Sequence, residues 1–237
     1  MDAKCDLKTF EKRIEEEGLV WEMKGELDRA LQAYDRLLTD VEAIPFGSPQ
    51  EVNEKNAVIS YLILRKAGVL MQKGELESGE QLMQKALHHA EMSGNTTAVG
   101  RAKLGLGVFY GTTNRFEESE KLLTEALKSF NRSDDYDSKQ GAGWALLNLG
   151  GVFIKQRKLS QAQEKLDEAI RSLKSIENWV GVASAFELKA KYDAARGVDA
   201  LAKEDLQNAI LFYEKQGMKE KADSLRKSTK NVSNRGQ

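Results

Sequence analysis

Small residues recur along this chain at fixed distances from large ones, and no other feature limits its possible folds as tightly. Residues 146–170 show the unit. Gly150 sits midway along a first amphipathic stretch with Phe153 one helical turn later, and a second stretch carries Ala162, Leu166 and Ala169. Small side chains let two helix axes approach closely, and large ones fill the space that remains. One such pair cannot bury its apolar faces alone, so the pattern should repeat. It does. Gly18, Ala67, Gly107, Gly150 and Ala190 are the anchors, with Trp21, Leu70, Tyr110, Phe153 and Asp193 three residues on. Twelve residues after the anchors stand Ala30, Gly79, Ser119, Ala162 and Ala202, and four further on Tyr34, Met83, Leu123, Leu166 and Leu206. Three beyond those come Leu37, Ala86, Ala126, Ala169 and Ala209. Ala, Gly or Ser fills fourteen of the fifteen small places, although these types make up only about a quarter of the chain.

The two prolines, Pro45 and Pro49, share one connection, which leaves the rest of the 237 residues open to uninterrupted helix. Turn dipeptides fall inside each pair, at Lys24-Gly25, Lys73-Gly74, Thr113-Asn114, Gln156-Arg157 and Arg196-Gly197. These signals predict an all-α chain forming a single domain over residues 1–231. Its helix pairs span roughly 7–44, 54–93, 96–131, 138–176 and 179–216. A polar-faced capping helix follows over 218–230, where only Met218, Ala222 and Leu225 keep helical spacing, and residues 231–237 form a disordered tail. In the fifth pair Asp193 stands where a large apolar residue belongs, so looser packing is expected there.

The column pattern resembles the tetratricopeptide repeat over roughly residues 7–215. Spacings of about 40 residues exceed the standard repeat of about 34, which is similar to the extended repeats of kinesin light chains and of bacterial receptors for signalling peptides. The resemblance implies a right-handed α-α superhelix whose first helices line a concave groove. It also implies a non-catalytic scaffold that binds a partner peptide or helix there. The residues left facing the groove by the packing pattern include Tyr61, Arg65, Arg101, Trp144, Asn148, Lys155 and Lys191. Arg65 and Arg101 could grip acidic groups of the partner. Asn148, in the run LNLG, matches an asparagine that in similar repeats holds a peptide backbone, because an amide both donates and accepts. Tyr61 and Trp144 offer broad amphipathic surface. A competing reading packs these aromatics against the preceding repeat and pairs the arginines with nearby glutamates. The lysine and asparagine set by which co-chaperones clamp a terminal carboxylate is not kept: Glu15, Leu19, Arg65, Arg101 and Gly105 stand at its places, and only Arg101 retains the charge.

Catalytic constellations are scarce. His88 and His89 are the only histidines and, adjacent on a helix, point about 100° apart, too few for a zinc site without Cys or a third His. Gly105, Gly107 and Gly111 miss the dinucleotide spacing and follow no strand. No enzyme, cofactor or metal is therefore expected. A net charge of −1 gives no footprint for nucleic acid, and no window is apolar enough to span a membrane. The charged N-terminus and the single Cys5 point to the cytoplasm. Two alternatives to the scaffold remain. One is a self-associating module or homo-oligomer that uses Leu7 and Phe10 on the first helix. The other is nucleic-acid or membrane-surface binding through the basic stretch after Lys215 (Lys215, Lys219, Lys221, Arg226, Lys227, Lys230 and Arg235), which carries no aromatic residue and only a thin apolar stripe.

Overall fold

The computed structural model describes residues 7–45 and 47–233, and every regular element among them is helical. Cys5 and Arg235 lie outside the described residues, as do the side chains of Leu7 and Lys230. The helices group into two compact units, Met1–Phe109 and Tyr110–Gln237.

In unit 1 the first helix runs in three parts. α1 (Leu7–Arg13) passes into a π-helical segment, Ile14–Leu19, and then α2 (Val20–Met23). Gly18 lies in the wider turn, where an added methyl group would overlap the Tyr34 ring. Tyr34 belongs to α3 (Leu27–Glu42), whose buried face is Ala30, Ala33, Tyr34, Leu37 and Val41, the three-four spacing of an amphipathic helix. The Tyr34 side chain is fully buried, which contributes on the order of 2 kcal/mol of hydrophobic stabilisation.

α4 (Pro49–Gln72) begins at a capping box. Ser48 Oγ accepts from the Glu51 N–H, the Glu51 carboxylate accepts from the Ser48 N–H at 2.6 Å, and Pro49 takes the first helical position. Buried Lys55 donates to the carbonyls of Glu42 (2.8 Å) and Ile44 (2.9 Å), satisfying orphan acceptors at the end of α3 and pinning the proline-containing connection. α5 (Leu76–Ser93) ends at Gly94. α6 (Thr96–Thr112) starts where Asn95 Oδ1 accepts from the N–H groups of Thr97 and Ala98, and its residues beyond Phe109 belong to unit 2.

Unit 2 continues with α7 (Phe116–Phe130), α8 (Tyr136–Lys155), α9 (Leu159–Ser175), α10 (Trp179–Ala195), α11 (Asp199–Lys215) and α12 (Lys219–Ser233). Asp135 and Asn178 cap α8 and α10 by accepting from Ser138 N–H (2.7 Å) and Gly181 N–H (2.9 Å). The core between α8, α9 and α10 gathers Leu146, Leu147, Ala169, Leu173, Val182 and Ala185. Gly150 faces Leu166: a Cβ there would sit 2.8 Å from the leucine's Cγ and Cδ2.

The turns inside the five pairs share one device. Gly25, Gly74, Asn114, Arg157 and Gly197 all have positive φ, between 60° and 83°, so the chain reverses through a left-handed residue each time. Two expectations are corrected. Phe10 is 1% exposed and belongs to the core with Ile14 and Tyr34, so it offers nothing to a second copy. Asp193 is 2% exposed rather than sitting in a loose pocket, because the carboxyl group of Asp205 on α11 accompanies it into the interior.

Two glycine substitutions separate packing from helix propensity. Gly18→Ala should destabilise unit 1 by about 1–3 kcal/mol, because the rigid Tyr34 ring cannot yield. Gly68→Ala meets nothing within 4 Å and should stabilise by about 0.5–1 kcal/mol. Denaturant unfolding of both variants checks the opposite signs.

Candidate functional site

In each unit the residues expected on the outer face of the first helices lie beside their counterparts on the next first helix. In unit 1, a Cβ on Gly105 of α6 would press on the Leu64 side chain of α4, and the Arg101 guanidinium sits over the Tyr61 ring at 5.4 Å from its centroid. In unit 2, a Cβ on Gly151 of α8 would lie 3.6 Å from Leu188 of α10. The glycines let neighbouring first helices approach, so their outer side chains form one continuous surface within each unit.

The unit 1 face is tied together by Glu22, which the sequence pattern did not single out. Its carboxylate accepts from Arg65 (2.6 Å), from the buried Tyr34 hydroxyl (2.9 Å) and from Gln72 Nε2 (3.3 Å). Burial acts to lower the Arg65 pKa, but the Glu22 charge and the Tyr34 hydroxyl outweigh it and hold the guanidinium above its usual range. Burial pushes the Tyr34 hydroxyl up to about 12. Arg65 Nε is buried with no acceptor. Arg65 therefore faces the site with its charge already paired to Glu22, and Tyr61 packs partly against the core.

The unit 2 residues are placed differently from one another. Trp144 packs against the α8–α10 core, half-buried. One turn on, Asn148 donates its amide N–H to the Trp144 carbonyl at 2.8 Å, and among the described residues its Oδ1 takes no hydrogen bond. Lys155 reaches across to the Gly111 carbonyl at 2.7 Å, at the end of α6, with the Phe116 ring beneath it at 5.6 Å. It serves as a helix C-cap. Exposed Lys191 lies 3.5 Å from Glu187, which also faces Lys221 at 3.1 Å.

Behind this face lies a buried carboxyl pair. Asp193 of α10 and Asp205 of α11 are 2% and 6% exposed, and Asp205 Oδ2 has no partner. Arg196 lies 3.4 Å from Asp193, and Lys189 lies 3.8 Å from Asp205. Burial first, and then the neighbouring Asp193 carboxyl, push Asp205 up to about 6. The break at Asp193 in the column of large residues was the sequence signal for this pair, while Asp205 carried none. His89 Nδ1–H donates to Asn56 Oδ1 at 2.9 Å, and burial lowers the pKa of the imidazole. No group of three or more His, Cys, Asp or Glu among the described residues could hold a metal ion, and no described helix is long and apolar enough to cross a membrane.

The carboxyl pair makes stability depend on pH in an unusual direction. Asp205 binds its proton more tightly folded than unfolded, so its contribution is full below the unfolded pKa and is lost as pH rises through about 6. Asp205→Asn, which keeps a donor toward Asp193, should abolish that slope and stabilise unit 2 above pH 7 by on the order of 2 kcal/mol. Thermal unfolding from pH 4 to 8 checks it.

No protein-family model matches this sequence, and no curated protein sequence is significantly similar to it. Solved structures are similar in fold. The apo form of RapI aligns over 98% of this chain and 86% of its own, at 14% identity and a TM-score of 0.63. A Rap protein complexed with competence and sporulation factor aligns over 92% and 73%, at 15% identity and a TM-score of 0.52. The nearly identical TPR-like repeats of a putative kinesin light chain from Podosopora anserina align over 91% and 99%, at 12% identity and a TM-score of 0.57. The chain has the tetratricopeptide-like helical-repeat fold, all-α and built from helix pairs with a terminal helix.

Proposed function

We propose that this chain is a cytoplasmic, non-catalytic scaffold that binds a peptide or helix of a partner protein on the outer face of its first helices. The observation that carries the reading is Asn148. Its donor is anchored on the Trp144 carbonyl, which fixes the amide plane, while Oδ1 remains open at the surface shared by α8 and α10. A fixed amide with an open acceptor suits the N–H of an extended peptide. Trp144, of a residue type enriched at binding hot spots, and Leu188 supply apolar area on the same face, and Lys191 supplies charge. In unit 1, the stack of Arg101 on Tyr61 offers a guanidinium plane to an acidic group. The Rap protein with a TM-score of 0.52 was solved with a bound factor, which supports a binding role for a fold of this kind.

Arg65 and Lys155 contribute mainly to the shape of the surface, because Glu22 and the Gly111 carbonyl already engage them. A partner carboxylate would have to displace those contacts, which offsets most of its gain.

Affinity capture from native lysate, using the wild-type chain and its Asn148→Ala and Arg101→Glu variants, tests the reading. Each substitution should reduce recovery of a specific partner by at least about tenfold, the equivalent of about 1.4 kcal/mol, with helical circular dichroism unchanged. Undiminished recovery by both variants would sink the scaffold assignment.

A further inference from the structure

Besides Asp193, the fifth helix pair departs from the other four at a second place, and this departure opens a cleft. Sixteen residues after each anchor comes a large side chain. Tyr34, Met83, Leu123 and Leu166 are buried, at no more than 4% exposure. Leu206, the fifth, is half-buried and lines a cleft of about 410 Å³ between α10, α11 and α12. Ala190, Ala202 and Leu225 are buried around it and make the floor apolar.

The helix that comes after this pair also differs from those that follow the others. Elsewhere the second helix of a pair packs on the first helix of the next, as α3 does on α4, α7 on α8 and α9 on α10. α10 brings Trp179 and Phe186 to that contact. α12, which packs on α11, brings Ala222 and Leu225. Leu206 packs beside them and stays half-buried.

Charge around the mouth is unequal. Lys191, Lys203 and Lys221 surround it, with Glu187 and Asp199. Glu187 is shared by Lys191 and Lys221 and lies 3.5 Å from the Tyr213 hydroxyl. Lys203 is exposed and forms no ion pair among the described residues.

We propose that this cleft seats an amphipathic helix of a partner protein, with one apolar side chain covering Leu206 and a flanking carboxylate on Lys203. The proposal rests on the scaffold reading and gives that scaffold a specific docking point. The volume lies within the range of ligand pockets, roughly 300–1,000 Å³, and admits a Leu or Phe side chain. A helix presents apolar residues three and four apart on one face with acidic residues beside them, which matches an apolar floor with a lysine rim. Helices also cover the equivalent large residues in the preceding pairs. A second copy is a poor occupant, because two-fold pairing of this cleft would set lysines against lysines.

Fluorescence anisotropy with three labelled synthetic helices of about four turns tests this. The first carries Leu and Phe along one face and Glu elsewhere, the second replaces Glu by Lys, and the third replaces Leu and Phe by Ser. The acidic apolar peptide should bind saturably, and each control at least about tenfold more weakly. Lys203→Glu, at an exposed position, should weaken the acidic peptide by about tenfold and strengthen the lysine peptide. Leu206→Ser should weaken binding without reversing charge preference. No saturation at roughly 1 mM, or binding unchanged by Lys203→Glu, overturns the proposal. Binding that Asn148→Ala removes but Lys203→Glu leaves intact keeps the scaffold and rejects the cleft. A dimer by sedimentation that Leu206→Ser dissolves overturns it in favour of self-association.

Discussion

The contact between a small residue on one helix and a large one sixteen places later is the constraint on which this architecture depends. Gly18 meets the Tyr34 ring, and Gly150 meets Leu166, each at the same offset and each where a side chain would collide. Close-packed interiors tolerate neither a void nor an extra methyl group. The pairing therefore sets how near the two helices lie and which side of the first helix remains outside. The proposed peptide-binding face is that outer side. Asn148 stands two residues before Gly150, and Lys191 one residue after Ala190, so the packing residues dictate where the polar ones point.

Much of the fold could be read because its signals are local and repeated. The columns of Gly, Ala and Ser mark the helix interfaces, and the turn dipeptides mark residues that adopt positive φ, even where the residue is Asn114 or Arg157 rather than glycine. The π-helical segment at Ile14–Leu19 had no such signal, since nothing in the run IEEEGL distinguishes it from ordinary helix. Long polar side chains were the least legible. Arg65 finds Glu22 forty-three residues away, and Lys155 finds the Gly111 carbonyl forty-four away. Such partners depend on how helices are juxtaposed, which periodicity does not encode. Asp193 was visible as a break in the pattern, while its partner Asp205 occupies an ordinary place on α11.

These internal partners shape what the surface can bind. A cation already held by a carboxylate gains little from a second one, because the first pair must be broken and desolvated. At the two proposed sites the groups with open capacity then matter most, and among the described residues there these are the Oδ1 of Asn148 and the ammonium group of Lys203. The acidic pair beneath α10 adds a liability of its own, a buried carboxylate whose charge weakens the fifth helix pair above about pH 6. The buried acidic pair and the half-buried Leu206 thus coincide in the fifth helix pair, near the end of unit 2.

A double-mutant cycle at Gly150 and Leu166 tests the central packing claim most directly. Leu166→Ala alone should cost about 2–4 kcal/mol, and Gly150→Ala alone about 1–2 kcal/mol through overpacking. In the Leu166→Ala background the same glycine substitution should become stabilising, by about 1 kcal/mol, because the added methyl then fills the vacated space and favours helix. Such a change of sign means the two residues share one volume. If the two effects add within about 0.5 kcal/mol, the residues act independently and the small-to-large contact does not hold the pair together.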